Sequence, residues 1–140
     1  PDREEAAKLL EQLREQERQQ KQAEERRRNP MEDWQLRTLR ELHEEGRLEK
    51  IPEEISWREA SELIDRITFH DPASWMMKNT VRRNIESGLL PSSAGRNFDS
   101  MTVGEFRKLQ KVIMEKQQEL DRRREQWERE HPRDRGGIDL

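Results

Sequence analysis

Cysteine is absent from this chain, so neither a disulfide framework nor a thiolate metal site can form. An intracellular, cytoplasmic setting is the matching expectation. Tyrosine is absent too, and hydrophobic residues come to only 29% of the chain. No apolar run approaches the roughly 18 residues of a spanning helix, and charge begins at Asp2, so neither membrane contact nor a secretory signal is expected. Glycine-rich phosphate loops are missing, since Gly95 stands alone and Gly136-Gly137 falls in the last stretch. His43, His70 and His131 lie in three separate segments, whereas a zinc site needs three or four ligands, usually with a closely spaced pair. Ser92 and Ser93 have no identifiable base beside them. No catalytic residue, no metal and no cofactor is therefore expected, and the chain reads as non-enzymatic.

Charge is what the chain has in abundance. Charged residues make up 42% of it, yet the formal net charge is only −3. The 26 Leu, Ile, Val and Phe residues are few for a globule, but 21 of them lie within residues 31–120. A modest core is expected there, with flanks that contribute little to it.

The periodicity is helical throughout. Residues 2–28 read as one charged helix with a short stripe of Ala6, Leu9, Leu10 and Leu13, ended by Asn29-Pro30. Trp34, Leu36, Leu39 and Leu42 mark a helix that stops near Gly46. An acidic connection follows, with Leu48, Ile51 and Ile55 as inward anchors. Next come a capped helix from Ser56 to about Thr68, a break at Asp71-Pro72, and a helix over 73–88 carrying Trp75, Met76, Val81 and Ile85. After the loop around 91–97, a last helix starts at Thr102 and runs to about His131. Along it Ile113, Leu120 and Trp127 recur every seven residues, a one-face stripe that could lie against another helix. One apolar residue per heptad leaves the oligomeric state open.

Two stretches resemble each other. Ser56-Trp57-Arg58-Glu59 and Thr102-Val103-Gly104-Glu105 are both capping boxes, each followed by apolar residues at helical spacing. Setting Gly46 on Gly88 pairs Leu39 with Val81 and Leu48 with Leu90, with the second loop four residues longer. The expected fold is all-α: a four-helix core at 31–116, made of helix–loop–helix units at 31–70 and 71–116. A charged arm at 1–30 precedes it, an extension of the last helix at 117–131 follows, and 132–140 forms a flexible tail. Trp34 and Trp75 are expected to complete the core, as large aromatics usually do.

The first unit, from Gln35-Leu36-Arg37-Thr38-Leu39 through Ser56-Trp57-Arg58-Glu59-Ala60-Ser61-Glu62-Leu63-Ile64, resembles a short helical domain of unknown function. That domain occurs in actinobacterial and phage proteins, often appended to proteins that process DNA. Glu59-Ala60-Ser61 with Ile64 carries most of the resemblance; the second unit departs from it, with Phe106-Arg107 in place of Ala-Ser. The resemblance brings no activity. It implies a bacterial or phage source (hence the interior of a host cell as an alternative location) and an association with nucleic-acid machinery.

Function must then be read from surfaces. Residues 31–70 carry six basic and eleven acidic residues, residues 71–116 eight basic and five acidic. In the basic unit Lys78 and Arg82 share a helix face, as do Arg107 and Lys111. With Arg83, Arg96 and Lys108 they form a candidate patch for nucleic-acid phosphates. Leu9, Leu10, Leu13, Leu120 and Trp127 are the candidate contacts to protein partners in a larger complex. The leading expectation is an interaction subunit of a nucleoprotein complex. One alternative is an adaptor that binds protein only. Another is a phage-encoded inhibitor using Glu44, Glu45, Glu49, Glu53 and Glu54 as a phosphate mimic.

Overall fold

Side chains that satisfy helix ends set the element boundaries of this chain. The computed structural model describes residues 2–132. Five α-helices occur there: α1 (Arg3–Arg28), α2 (Asp33–Glu44), α3 (Trp57–Thr68), α4 (Trp75–Glu86) and α5 (Val103–Glu130), with a short 3₁₀ turn at Ser92–Gly95. Among the described residues there is no strand, and the fold is all-α. The tail expected at 132–140 lies outside the described residues from Arg133 onward.

Asp2 Oδ1 accepts from the Glu5 amide at 2.9 Å to start α1, and Arg26, Arg27 and Arg28 complement its C-terminal dipole. The box at α3 is complete: Ser56 Oγ accepts from the Glu59 amide, and Glu59 Oε1 accepts from the Ser56 amide, both at 3.1 Å. The box at α5 is half formed. Thr102 Oγ1 accepts from the Glu105 amide at 3.2 Å, while the Glu105 carboxylate takes the Thr102 hydroxyl instead of its amide. Ser74 caps α4 by accepting from the Met77 amide at 3.2 Å. Helices α2 and α4 both end at a glycine in the left-handed region, Gly46 at φ +77° and Gly88 at φ +84°.

The described residues divide into two compact units, one within Pro1–Ile67 and one within Thr68–Leu140. In each, a helix pair closes on itself through the same backbone contacts. In the first, the Met31 amide donates to Ile55 O and the Trp57 amide to Asn29 O, at 3.1 and 2.7 Å. In the second, Ala73 donates to Met101 O and Val103 to Asp71 O, both at 2.8 Å. Pro30 thus pairs with the cap residue Ser56, and Pro72 with the cap residue Thr102. Proline lacks an N–H, so the amides that make these contacts belong to the residue after each proline and the residue after each cap. Both units are therefore built on one plan, helix end, Asx-Pro, helix, glycine stop, loop, capped helix.

Each unit has its own apolar cluster. Leu39, Leu42, Ala60 and Ile64 form the first, lined by Met31, Leu48, Ile51 and Ile55. Ala73, Val81, Leu90, Met101, Phe106 and Ile113 form the second, with Phe98, Leu109 and Ile85 against it. Trp34 and Trp75 belong to neither, which corrects the expectation from size: they are 48% and 71% exposed. Trp75 precedes the buried Val81 by six residues, about 120° around the helix, so it points off the core face. Trp34 is rotated from Leu39 by a similar amount, and its indole N–H donates to Glu32 Oε2 at 2.6 Å.

Candidate interaction surfaces

The residues that carry the family resemblance turn out to be packing residues. Gln35 is fully buried, and its Nε2 donates to Trp57 O and to Ser61 Oγ, both at 2.9 Å. Its Oε1 accepts from the Glu32 amide at 2.9 Å. One side chain therefore ties the start of α2 to the first turns of α3. Ala60 is fully buried, which lets these backbones approach, and Ile64 completes the contact. In this unit the motif builds the fold.

The end of α1 is clasped to the start of α3 by two crossed, two-pronged ion pairs. Arg26 donates from Nε and Nη2 to the two carboxylate oxygens of Glu59, both at 2.8 Å. Arg58 donates in the same way to Glu25, at 2.7 and 2.8 Å. Such forked pairs fix orientation as well as charge. The hydrogen bond from Arg26, helped by the Ser56 amide and opposed by partial burial, holds the Glu59 carboxyl down at about 2. The hydrogen bond from Arg58 lowers Glu25, and the same contact raises Arg58. Two open depressions, of about 690 and 560 Å³, flank this junction on either side of Pro30. Both mix charges of either sign with Met31.

At about 100° per residue, the Leu9, Leu10 and Leu13 stripe lies on the face of α1 opposite to Glu25 and Arg26. The three leucines are all more than half exposed, and no residue of α1 is buried. Helix α5 differs. Its apolar face starts inside the second cluster at Phe106 and Ile113, then continues along the same line to the exposed Leu120 and Trp127. Beyond Ile113 no described residue of α5 is buried. The Trp127 ring stacks on His131, centroids 4.5 Å apart, and His131 Nδ1 lies 2.9 Å from Trp127 O.

In the basic unit, four of the seven candidate cations meet around one loop. Lys78 Nζ donates to Asp99 O at 3.0 Å, and the Arg82 guanidinium lies 5.0 Å from the centre of the Phe98 ring. Arg96 sits in that loop, and Lys108 lines a depression with it, beside Asn97 and Met101. Arg83 is exposed one position further round α4. Arg107 and Lys111 do not join them. Arg107 is half-buried, donates to Gln110 Oε1 at 3.0 Å and lies over Phe106, while Lys111 faces solvent on the side of α5 away from Ile113. The loop was legible as a loop, but its role as a meeting point was not, because Phe98 and Met101 fold it back onto α4 and α5 from a distance in sequence.

The five glutamates considered as a phosphate mimic, Glu44, Glu45, Glu49, Glu53 and Glu54, are all exposed, between the end of α2 and the box of α3. The histidines serve local structure: His43 Nδ1 lies 2.7 Å from Leu48 O, and His70 stands edge-on to Phe69. Among the described residues no three His, Asp or Glu side chains converge as a metal site would require, and no helix is long and apolar enough to cross a membrane. Comparison with family models, with curated proteins and with solved structures finds no match to this chain.

Proposed function

We propose that this protein is a non-enzymatic helical interaction subunit of a nucleoprotein assembly, whose second unit contacts nucleic-acid backbone. The observation that carries this is the convergence of Lys78, Arg82, Arg96 and Lys108 on the 93–101 loop. Lys78 spends a hydrogen bond on a neutral carbonyl, and Arg82 packs on an aromatic ring, so neither contact neutralises its charge. Phosphates are held by such clusters through charge and counterion release, without base readout. The resemblance of residues 34–67 to domains appended to DNA-processing proteins points the same way. A sequence pI near 5.8 makes the contact local to this unit, with the rest of the chain facing other subunits.

The test is an anisotropy titration of labelled single- and double-stranded oligonucleotides at several salt concentrations. Binding should weaken with salt, with a log–log slope near −0.7 to −0.9 for each phosphate contacted. Replacing Lys78, Arg82, Arg96 and Lys108 together with alanine should flatten that slope. No binding by the wild type at low salt sinks the proposal.

A second reading, an adaptor that binds protein only, is favoured by one observation. The Leu9–Leu13 stripe is turned away from its own unit, and Leu120 and Trp127 prolong a core face past the core. It predicts that the fourfold alanine variant assembles and functions unchanged, while replacing the three leucines with glutamine abolishes assembly.

A further inference from the structure

The most exposed large apolar side chains among the described residues are neighbours. Trp75 is 71% and Met76 74% exposed, at the first two positions of α4. Nothing in the second apolar cluster calls for them there. Ser74 fixes the start of the helix, and Val81, Met77 and Ile85 supply its core face.

Their surroundings give them a chemical meaning. On a helix of 3.6 residues per turn, Trp75, Lys78 and Arg82 fall along one stripe, and Met76 and Arg83 along the next. An indole face and three cations are thus presented side by side over about 10 Å of helix. The first turn of α4 holds no acidic residue. The corresponding turn of α2 shows what the scaffold does without this arrangement. There the cap is Glu32, the first residue is Asp33, and Glu32 accepts from the one indole present, that of Trp34. In α4 a serine stands in the place of Glu32 and Trp75 in that of Asp33. Two carboxylates have given way to a hydroxyl and an indole at equivalent places.

From this we infer that the α4 surface binds single-stranded nucleic acid, with Trp75 stacking on an unpaired base while Lys78, Arg82 and Arg83 hold the flanking phosphates. The inference rests on the backbone contact proposed above and narrows it to single strands. A planar indole free on one face matches every base and needs that base out of a duplex, whereas cations alone do not distinguish strandedness. Stacking is tolerant of sequence, so the preference is for strandedness, with no base reading. An acidic protein segment would also be drawn to the cations, but it would gain little from a flat aromatic face.

The experiment titrates fluorescein-labelled oligo(dT), oligo(U), a random-sequence DNA duplex and an oligo-glutamate peptide with the full chain and with Trp75→Ala, Trp75→Phe and Trp75→Leu. Trp75 lies off the core, and the three variants are checked for unchanged helicity. The expected result is tighter binding of the single strands than of the duplex. Trp75→Ala and Trp75→Leu should lose single-strand affinity by about fivefold or more at an unchanged salt slope, and Trp75→Phe should restore most of it. Equal affinity for single strand and duplex, or Trp75→Ala binding like wild type, overturns the stacking role and leaves the backbone contact standing. Tight binding of oligo-glutamate that Trp75→Ala weakens overturns the inference in favour of an acidic protein partner. Absence of binding to every nucleic acid at low salt overturns both this inference and the reading beneath it.

Discussion

Gln35 in the first unit and Met77 in the second occupy the same place on one backbone plan, and so do Ala60 and Phe106, yet the two places are filled in opposite ways. The first unit puts its small residue on the capped helix and spans the gap with a glutamine that makes three hydrogen bonds. The second fills the gap with a phenyl ring on α5 and a flexible thioether on α4. The first solution is directional and leaves no spare polar atom: no buried side-chain N or O among the described residues lacks a partner. The second is volumetric. It also receives a loop four residues longer, which brings in Phe98 and Met101 and with them the place where the cations meet. One scaffold thus yields an acidic, tightly bonded unit and a basic one with cations gathered around a loop.

The sharpest way to break this comparison is through volume. Phe106→Ala removes a buried ring and should destabilise the protein by about 3–5 kcal/mol. Ala60→Phe, at the corresponding place, forces a ring into a contact with no room and should cost about 1–3 kcal/mol or more. Urea denaturation followed by far-UV circular dichroism measures both. If Ala60→Phe is neutral, the two places are not equivalent in packing.

Direction comes next. Gln35→Leu keeps the volume but strips the donors from Trp57 O and Ser61 Oγ. It should cost about 2–3 kcal/mol, since a buried carbonyl is left without its partner. Met77→Leu should cost less than about 1.5 kcal/mol, as a volume-conserving apolar swap. Equal losses in the two variants would mean that the hydrogen bonds of Gln35 contribute nothing beyond its size.

The clasp supplies the first unit with a pH dependence. Glu59 is held at about 2 in the folded chain, against an ordinary value of 4.5. The folded state therefore binds its proton less readily than the unfolded one. The stabilisation is present above about pH 4.5 and is lost as the pH falls towards 2. Glu25, lowered by Arg58, works in the same direction. The expected outcome is a fall in the urea midpoint across that window, diminished in Glu59→Gln. A Glu59→Gln profile identical to wild type would remove the clasp as its source.

What could be read from sequence follows the range of the forces involved. The caps at Ser56 and Thr102 and the stops at Gly46 and Gly88 were legible because each is settled within a few residues. The exposure of Trp34 and Trp75 was not, because it depends on which helical face meets a core filled from elsewhere in the chain, by Ala60 and Ile64 in the first unit and by Phe98 and Phe106 in the second. The pairing of Pro30 with Ser56 and of Pro72 with Thr102 was hidden for the same reason. Each proline looked like a mere helix break, and its partner stands some 26 or 30 residues away. Of the seven candidate cations, helix periodicity puts Lys78 beside Arg82 on α4, where both reach the 93–101 loop. It likewise puts Arg107 beside Lys111 on α5, but only the fold shows Arg107 drawn in against Phe106 and Gln110.

The smallest expected effect tests the sameness of the two units, where the others test their difference. Gly46 and Gly88 both stand in the left-handed region, and a Cβ added at either meets nothing within 4 Å. Sterics with neighbours are therefore irrelevant, and the cost of alanine is that of the backbone conformation alone, about 1 kcal/mol at each place. Gly46→Ala and Gly88→Ala should lower the urea midpoint by equal amounts, whatever the composition of the core beneath. A clear inequality would show that one of the two helix ends relaxes into another geometry. The candidate is the second, where the Leu90 amide reaches back to Asn84 O, one residue later than Arg47 reaches to Leu42 O, and so has a longer path over which to adjust.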